Sequence, residues 1–256
     1  MTGTPLLQTR QLAVSVADKP ICRHLELSVQ RGECWAILGQ NGSGKTTLLH
    51  SLAGLRDVDN GQVVLNARPL EQLSARHTAQ QCGLLLQDYQ DVFPASVMQT
   101  VLIGRHPHLS NWQWESGDDY QLADAALADV ELDGMQHRLL QTLSGGERRR
   151  VAIATLLAQQ PDLFLLDEPV NHLDIKHQQL VLELFAQKAR TGKHAVMMVL
   201  HDINLAARYC SHVLMLHGNE KVEFGRCEEM LSAEKLSALY DYPIQQLGGK
   251  LLFTPG

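Results

Sequence analysis

Apolar positions along the chain fall into two rhythms. In the first third, short apolar runs predict strands at "LAVSV" (12–16), "HLELSV" (24–29), "CWAILG" (34–39), "QVVL" (62–65) and "GLLLQ" (83–87). Between them "TTLLHSLAG" from Thr46 predicts a helix closed by Gly54, "DVDNG" (57–61) a turn, and "LEQLSARHTAQ" (70–80) a second helix. From about Tyr89 to Gln141 the pattern turns helical without a clear strand: "ASVMQTVLIG" and "DDYQLADAALADV" flank the polar loop "HPHLSNWQWESGDD". Strand runs return at "DLFLL" (162–166), "HAVMMVL" (194–200) and "HVLMLH" (212–217), separated by helices, and 227–245 reads as an amphipathic helical tail. Strands alternating with helices predict an α/β fold with a mostly parallel sheet. An antiparallel β part is expected at the N-terminus and an α-helical subdomain as an insertion. The expected units are one domain at 6–240, with its core at about 6–88 and 156–225 and the helical subdomain at about 89–155, then a helical tail at 226–256.

Composition removes several functions. The net charge of −6, with no basic block longer than "RRR" (148–150), disfavours nucleic acid as a partner. Cys22, Cys34, Cys82, Cys210 and Cys227 form no C-x-x-C pair, which disfavours a structural zinc site, and their odd number suits a reducing compartment. The N-terminus has no signal-like pattern, and the longest apolar run, "AVMMVL" (195–200), is far short of the roughly 20 residues a membrane helix needs. A cytosolic chain is expected, reaching a membrane only through a partner.

The chemistry starts at "GQNGSGKT" (39–46), which fits G-x-x-x-x-G-K-[ST] between an apolar strand and a helix. Gly39, Gly42 and Gly44 let the loop turn its N–H groups inward onto phosphates. Lys45 adds a point charge, and the Thr46 hydroxyl can ligate Mg²⁺. The segment Gly39, Gln40, Asn41, Gly42, Ser43, Gly44, Lys45, Thr46, Thr47 is therefore the expected nucleotide site. In "LFLLDEP" a buried strand delivers Asp167 and Glu168 to the carboxyl edge of the sheet, where open α/β sheets bind ligands. Asp167 is expected to hold Mg²⁺, and Glu168, pointing the other way, to orient the water that attacks the γ-phosphate. His201 ends the next apolar strand at the same edge and is expected to assist Glu168. Those two are the expected catalytic pair.

A second anion site lies in "LSGGE". Ser144 and Glu147 form a capping box at a helix start. A cap needs no glycines, yet Gly145 and Gly146 leave its N–H groups open to something as large as a phosphate. The first loop already surrounds its own nucleotide. Ser144, Gly145 and Gly146 are thus expected to meet the nucleotide of another copy, so that a head-to-tail homodimer clamps two ATP molecules.

In order and spacing, "GQNGSGKT", Gln87, "LSGGE", "LLDEP", "NHLD" (171–174) and His201 resemble the Walker A, Q-loop, signature, Walker B, D-loop and switch-histidine motifs of ABC transporter ATPases. The resemblance covers roughly residues 6 to 240. It implies a P-loop NTPase, RecA-like core, ATP and Mg²⁺ as ligands, a Gln87 that senses Mg²⁺ or water, and an Asp174 that couples the two sites. It also implies two integral membrane permease subunits, an indirect link to a substrate-binding protein, and a peripheral position on the cytoplasmic side of the inner membrane. "VLIGRHPH" (101–108), "LLAQQPDLFLLDEPVNHLDIKHQ" (156–178) and "LHDINLAARYC" (200–210) are similar to the ATPases of importers for ferric siderophores, haem and vitamin B12. A surface between Gln87 and about Val97 is the expected link to the permease. An exporter ATPase and a soluble P-loop NTPase without a transporter are the alternatives, the latter having no use for "LSGGE". Three positions depart from the family pattern: Val16 where an adenine-stacking aromatic is usual, Glu147 for the commoner glutamine, and Val170 for a small hydroxylated residue.

Overall fold

The computed structural model describes residues 4–17, 19–87, 94–110, 112–247 and 252–255. Strands β1 (Leu7–Val16), β2 (Lys19–Leu25) and β3 (Ser28–Val29) precede β4 (Cys34–Gly39), which runs into helix α1 (Lys45–Leu52). After β5 (Asn60–Leu65) and β6 (Arg68–Pro69), helix α2 (Ala75–Gln81) leads to β7 (Cys82–Leu85). Helices α3 (Val97–Leu102), α4 (Gly117–Asp129) and α5 (Gly145–Gln159) follow in succession. Alternation then resumes through β8 (Leu163–Leu166), α6 (Ile175–Arg190), β9 (Ala195–Val199), α7 (Ile203–Tyr209) and β10 (His212–Leu216). The chain ends in β11 (Val222–Arg226), α8 (Cys227–Met230), α9 (Ala233–Tyr240), β12 (Ile244–Gln246) and β13 (Phe253–Pro255). Among the described residues no helix is long and apolar enough to cross a membrane.

The continuous apolar runs occupy one six-stranded sheet of order β11-β10-β4-β9-β8-β7, parallel throughout except for β11. Strands covered on both faces need apolar residues at every position, and β4, β8 and β9 are buried along their whole length. Their alternation feeds two cores. Ala36, Leu38, Phe164, Leu166 and Met198 pack with Val101, Leu127, Ile153 and Phe185 of the helices α3 to α6. Ile37, Leu163, Leu165, Met197 and Val199 pack with Leu48 and Leu52 of α1 and with Leu7, Leu12 and Val63 of a second sheet. That sheet is antiparallel, of order β2-β1-β5-β6 with β3 beside β1, as expected for the N-terminal part.

Three expectations change. The single strand expected over 24–29 is broken: His24 is left-handed (φ 54°), and Thr9 Oγ1 donates to Leu25 O (2.7 Å) while accepting from Leu27 N (2.8 Å). One threonine hydroxyl thus satisfies the backbone at the break. The helix expected over 70–80 is a 3₁₀ turn at Leu70–Gln72 and then α2, because Ser74 caps it by accepting from His77 N. The helical tail expected at 226–256 ends instead in a two-stranded antiparallel sheet, with Ile244 opposite Pro255. Helix α9 stops at left-handed Asp241, and Asn204 grips β13, accepting from Phe253 N (2.7 Å) and donating to Phe253 O (3.1 Å).

Candidate active site

Strand order brings the chemistry together. Along the carboxyl edge of β4, β9, β8 and β7 lie, in that order, the loop 39–46, His201, the Asp167–Glu168 pair and Gln87. The register aligns the ends, with Ile37 opposite Val199, Leu166 opposite Met198 and Leu85 opposite Leu166.

Loop 39–46 needs its glycines for conformation and for space. Gly44, the N-cap of α1, has φ 96°, and a Cβ there would sit 2.5 Å from the Ile21 side chain. A Cβ on Gly39 would sit 2.5 Å from Leu216 O. Lys45 Nζ folds over the loop and donates to Gly39 O and Gln40 O, both at 2.9 Å. Burial lowers the Lys45 pKa, opposed by the nearby Glu168 and Asp167 charges. The loop borders a cleft of about 330 Å³ whose walls include Asn41–Thr47, Gln87, Glu168, Gly218, Pro20 and Ile21. Val16 lines the same cleft, at the position where the resemblance places an aromatic.

The paired carboxylates have opposite environments. Asp167 is fully buried, and neither of its oxygens has a hydrogen-bond partner among the described residues. Burial raises its pKa, with the Thr46 side chain as the strongest opposing influence. Two orphaned carboxylate oxygens beside a threonine hydroxyl form a hard, all-oxygen donor set, which fits Mg²⁺. Glu168 faces the cleft from a left-handed backbone (φ 48°). Its Oε1 lies 2.7 Å from His201 Nε2, and its Oε2 accepts from Gln87 Nε2 (3.1 Å) and from Asn171 Nδ2. A carboxylate so held is fixed in direction while remaining free to accept a proton. Gln87 and His201 were expected here. Asn171, within "NHLD", has one signal in the sequence: its position three residues after Glu168, across a tight turn.

Ser144 makes both halves of the capping box at α5, donating its N–H to Glu147 Oε2 (2.7 Å) and accepting at Oγ from Glu147 N (3.2 Å). Hydrogen bonding of its carboxylate by the Ser144 backbone and then the Ser144 side chain lowers the Glu147 pKa. Gly145 is exposed, with nothing within 4 Å of a Cβ placed on it. Gly146 differs: its Cβ would lie 3.2 Å from His172 O, so close packing within the chain already accounts for the second glycine. The cleft at loop 39–46 takes no wall residue from 144–146. Asp174 is exposed and N-caps α6, accepting from His177 N (2.9 Å). Of the surface expected between Gln87 and about Val97, residues 88–93 lie outside the described residues.

"GRHPH" works within the protein. Arg105 pairs with Asp119 (2.8 Å) and donates to Ala158 O (2.7 Å), His108 meets Gln159 O (2.8 Å), and a Cβ on Gly104 would collide with Thr155 O. The motif staples the segment after α3 to α5.

Comparison with known proteins agrees with this geometry. Residues 22–171 match the ABC transporter family. The "Probable siderophore transport system ATP-binding protein YusV" of Bacillus subtilis is 34% identical over 99% of this chain and 92% of its own length. The "Hemin import ATP-binding protein HmuV" of Streptomyces coelicolor is 38% identical over 99% of this chain and 91% of its own. A solved structure described as a metal-chelate-type ABC transporter in an inward-facing conformation is 30% identical, with a TM-score of 0.83 over 98% of this chain and 95% of that one.

Proposed function

This chain belongs to the ABC transporter ATPases, and on that premise we propose that it hydrolyses ATP to drive uptake of a metal chelate through a partner permease. The observation that carries the catalytic reading is the Glu168 carboxylate, held by Gln87, Asn171 and His201 beside the phosphate-loop cleft. The chelate class, a ferric siderophore or haem, is supported by the names of relatives that match nearly end to end.

In the proposed cycle ATP lies along Gly39–Thr47. Lys45 exchanges its two carbonyl partners for the β- and γ-phosphates, and Asp167, Thr46 and Gln87 would hold Mg²⁺, which would supply neutralisation of phosphate charge. Glu168 orients the attacking water and accepts its proton, and His201 fixes Glu168 and reaches the γ-phosphate. Ser144 and Gly145 of a second copy cover that phosphate, so two copies close around two nucleotides, and Asp174 lies at their seam. Closure switches two permease subunits, with the chain peripheral at the cytoplasmic face of the membrane and a substrate-binding protein delivering the cargo from the far side. Charge and positioning alone are asked of the protein, as phosphoryl transfer requires.

The test is Glu168→Gln. It should retain ATP binding and lose hydrolysis by about a hundredfold or more, the scale of general-base help. In a strain lacking the gene, wild type should restore growth on a ferric siderophore or haem as iron source, and E168Q should not. Near-normal turnover excludes Glu168 as the base, and growth that never depended on the gene excludes the chelate reading.

A further inference from the structure

Arg149 stands one turn and a half into α5, only 6% exposed. Among the bonds its guanidinium makes to described residues are those to five backbone carbonyls. Nη1 reaches Leu86 O (2.5 Å) and Gln87 O (3.2 Å), Nη2 reaches Asp167 O (2.6 Å) and Glu168 O (2.8 Å), and Nε reaches Pro169 O (3.4 Å). These carbonyls belong to the two strand ends that carry Gln87 and Glu168, whose side chains are themselves bonded. One arginine thus ties the backbones beneath both groups, including the left-handed turn at Glu168. The same helix begins at the exposed Ser144 and Gly145, five and four residues earlier, a rise of roughly 6–8 Å. Over that distance a helix moves as a rigid rod. A displacement of α5 at its tip therefore reaches both strand ends together.

We propose that Arg149 is a positioning residue that relays contact between Ser144–Gly145 and the partner copy's nucleotide to Glu168 of its own copy. The relay rests on the two-copy reading above. A planar fork with five fixed donors can grip two strand ends at once, whereas an ammonium is a single point charge. Misplacement of a reacting group by about 1 Å costs on the order of a hundredfold in rate, so a small shift of α5 suffices to gate hydrolysis.

The test compares full-length wild type, R149Q and R149K, with E168Q and E168Q/R149Q for assembly. Both Arg149 variants should lower kcat about tenfold or more, since the fork is lost, with KM and equilibrium ATP affinity changed less than about twofold. E168Q/R149Q should dimerise with Mg·ATP as E168Q does. Unchanged kcat in both variants overturns the relay. So does a fall in ATP affinity and melting temperature that accompanies the loss of kcat, or loss of folding in both variants, because each marks a purely structural staple. If R149Q alone fails to fold, R149K decides by the same readouts. A strictly monomeric E168Q overturns the two-copy reading whatever Arg149 does, while a dimerising E168Q beside an R149Q of undiminished kcat overturns the relay alone.

Discussion

Glu168 occupies a left-handed backbone, which costs a non-glycine residue about 1–3 kcal/mol and persists only where its surroundings over-determine it. Here Asn171 grips the side chain and Arg149 the backbone, so the strain is held from two sides. Val16 is the reverse case, a residue conspicuous for what it lacks. A β-branched aliphatic side chain at the cleft wall offers a nucleobase contact without stacking. Wild type should therefore bind GTP nearly as well as ATP, and V16Y should tighten ATP by roughly fivefold, corresponding to about 1 kcal/mol of stacking. Equilibrium titration checks both: a wild-type preference for ATP above about tenfold contradicts the loose discrimination, and a V16Y that binds ATP no more tightly than wild type contradicts the missing stack. Lys45 stands out in the sequence through the glycine motif before it, and Asp167, Glu168 and His201 through their places just after apolar strands. Asn171 and Arg149 do not, because their roles depend on carbonyls and carboxylates that only the folded chain brings near. Gly146 is expected to be open to a phosphate, and the His172 carbonyl beside it, a contact distant in sequence, is a further reason for a glycine there.

Strands buried on both faces announce themselves by unbroken apolar runs, so β4, β8, β9 and β10 stand close to where the sequence puts them. β11, β12 and β13 are short, β11 and β12 are half-exposed, and pairing partners set all three rather than their own periodicity. The α3–α4–α5 segment is held by the buried Arg105–Asp119 pair, in which the Arg105 guanidinium pulls the Asp119 pKa down to about 2. A carboxylate depressed by folding contributes stability above its unfolded pKa, here near 3.8, and loses it as pH falls toward about 2. D119N should cost about 3 kcal/mol at neutral pH by leaving Arg105 uncompensated, and its gap to wild type should narrow below about pH 4. Denaturant unfolding across that range reads the difference. A gap that stays constant down to about pH 2 contradicts the pairing as its source.

At the scale of the whole molecule, the order β4-β9-β8-β7 explains how four motifs spread over more than a hundred residues meet at one edge. That convergence was foreseeable from the rule that open α/β sheets bind ligands at their carboxyl ends. Ser144 and Gly145 stand exposed and outside the cleft at 39–46. On the proposed two-copy reading, a nucleotide bound to a second copy meets them. The most direct measurement is the mass in solution of the isolated E168Q subunit, free of nucleotide and saturated with Mg·ATP. It should double from that of the monomer and revert when the nucleotide is removed. A monomer under both conditions means that Ser144 and Gly145 meet no second nucleotide.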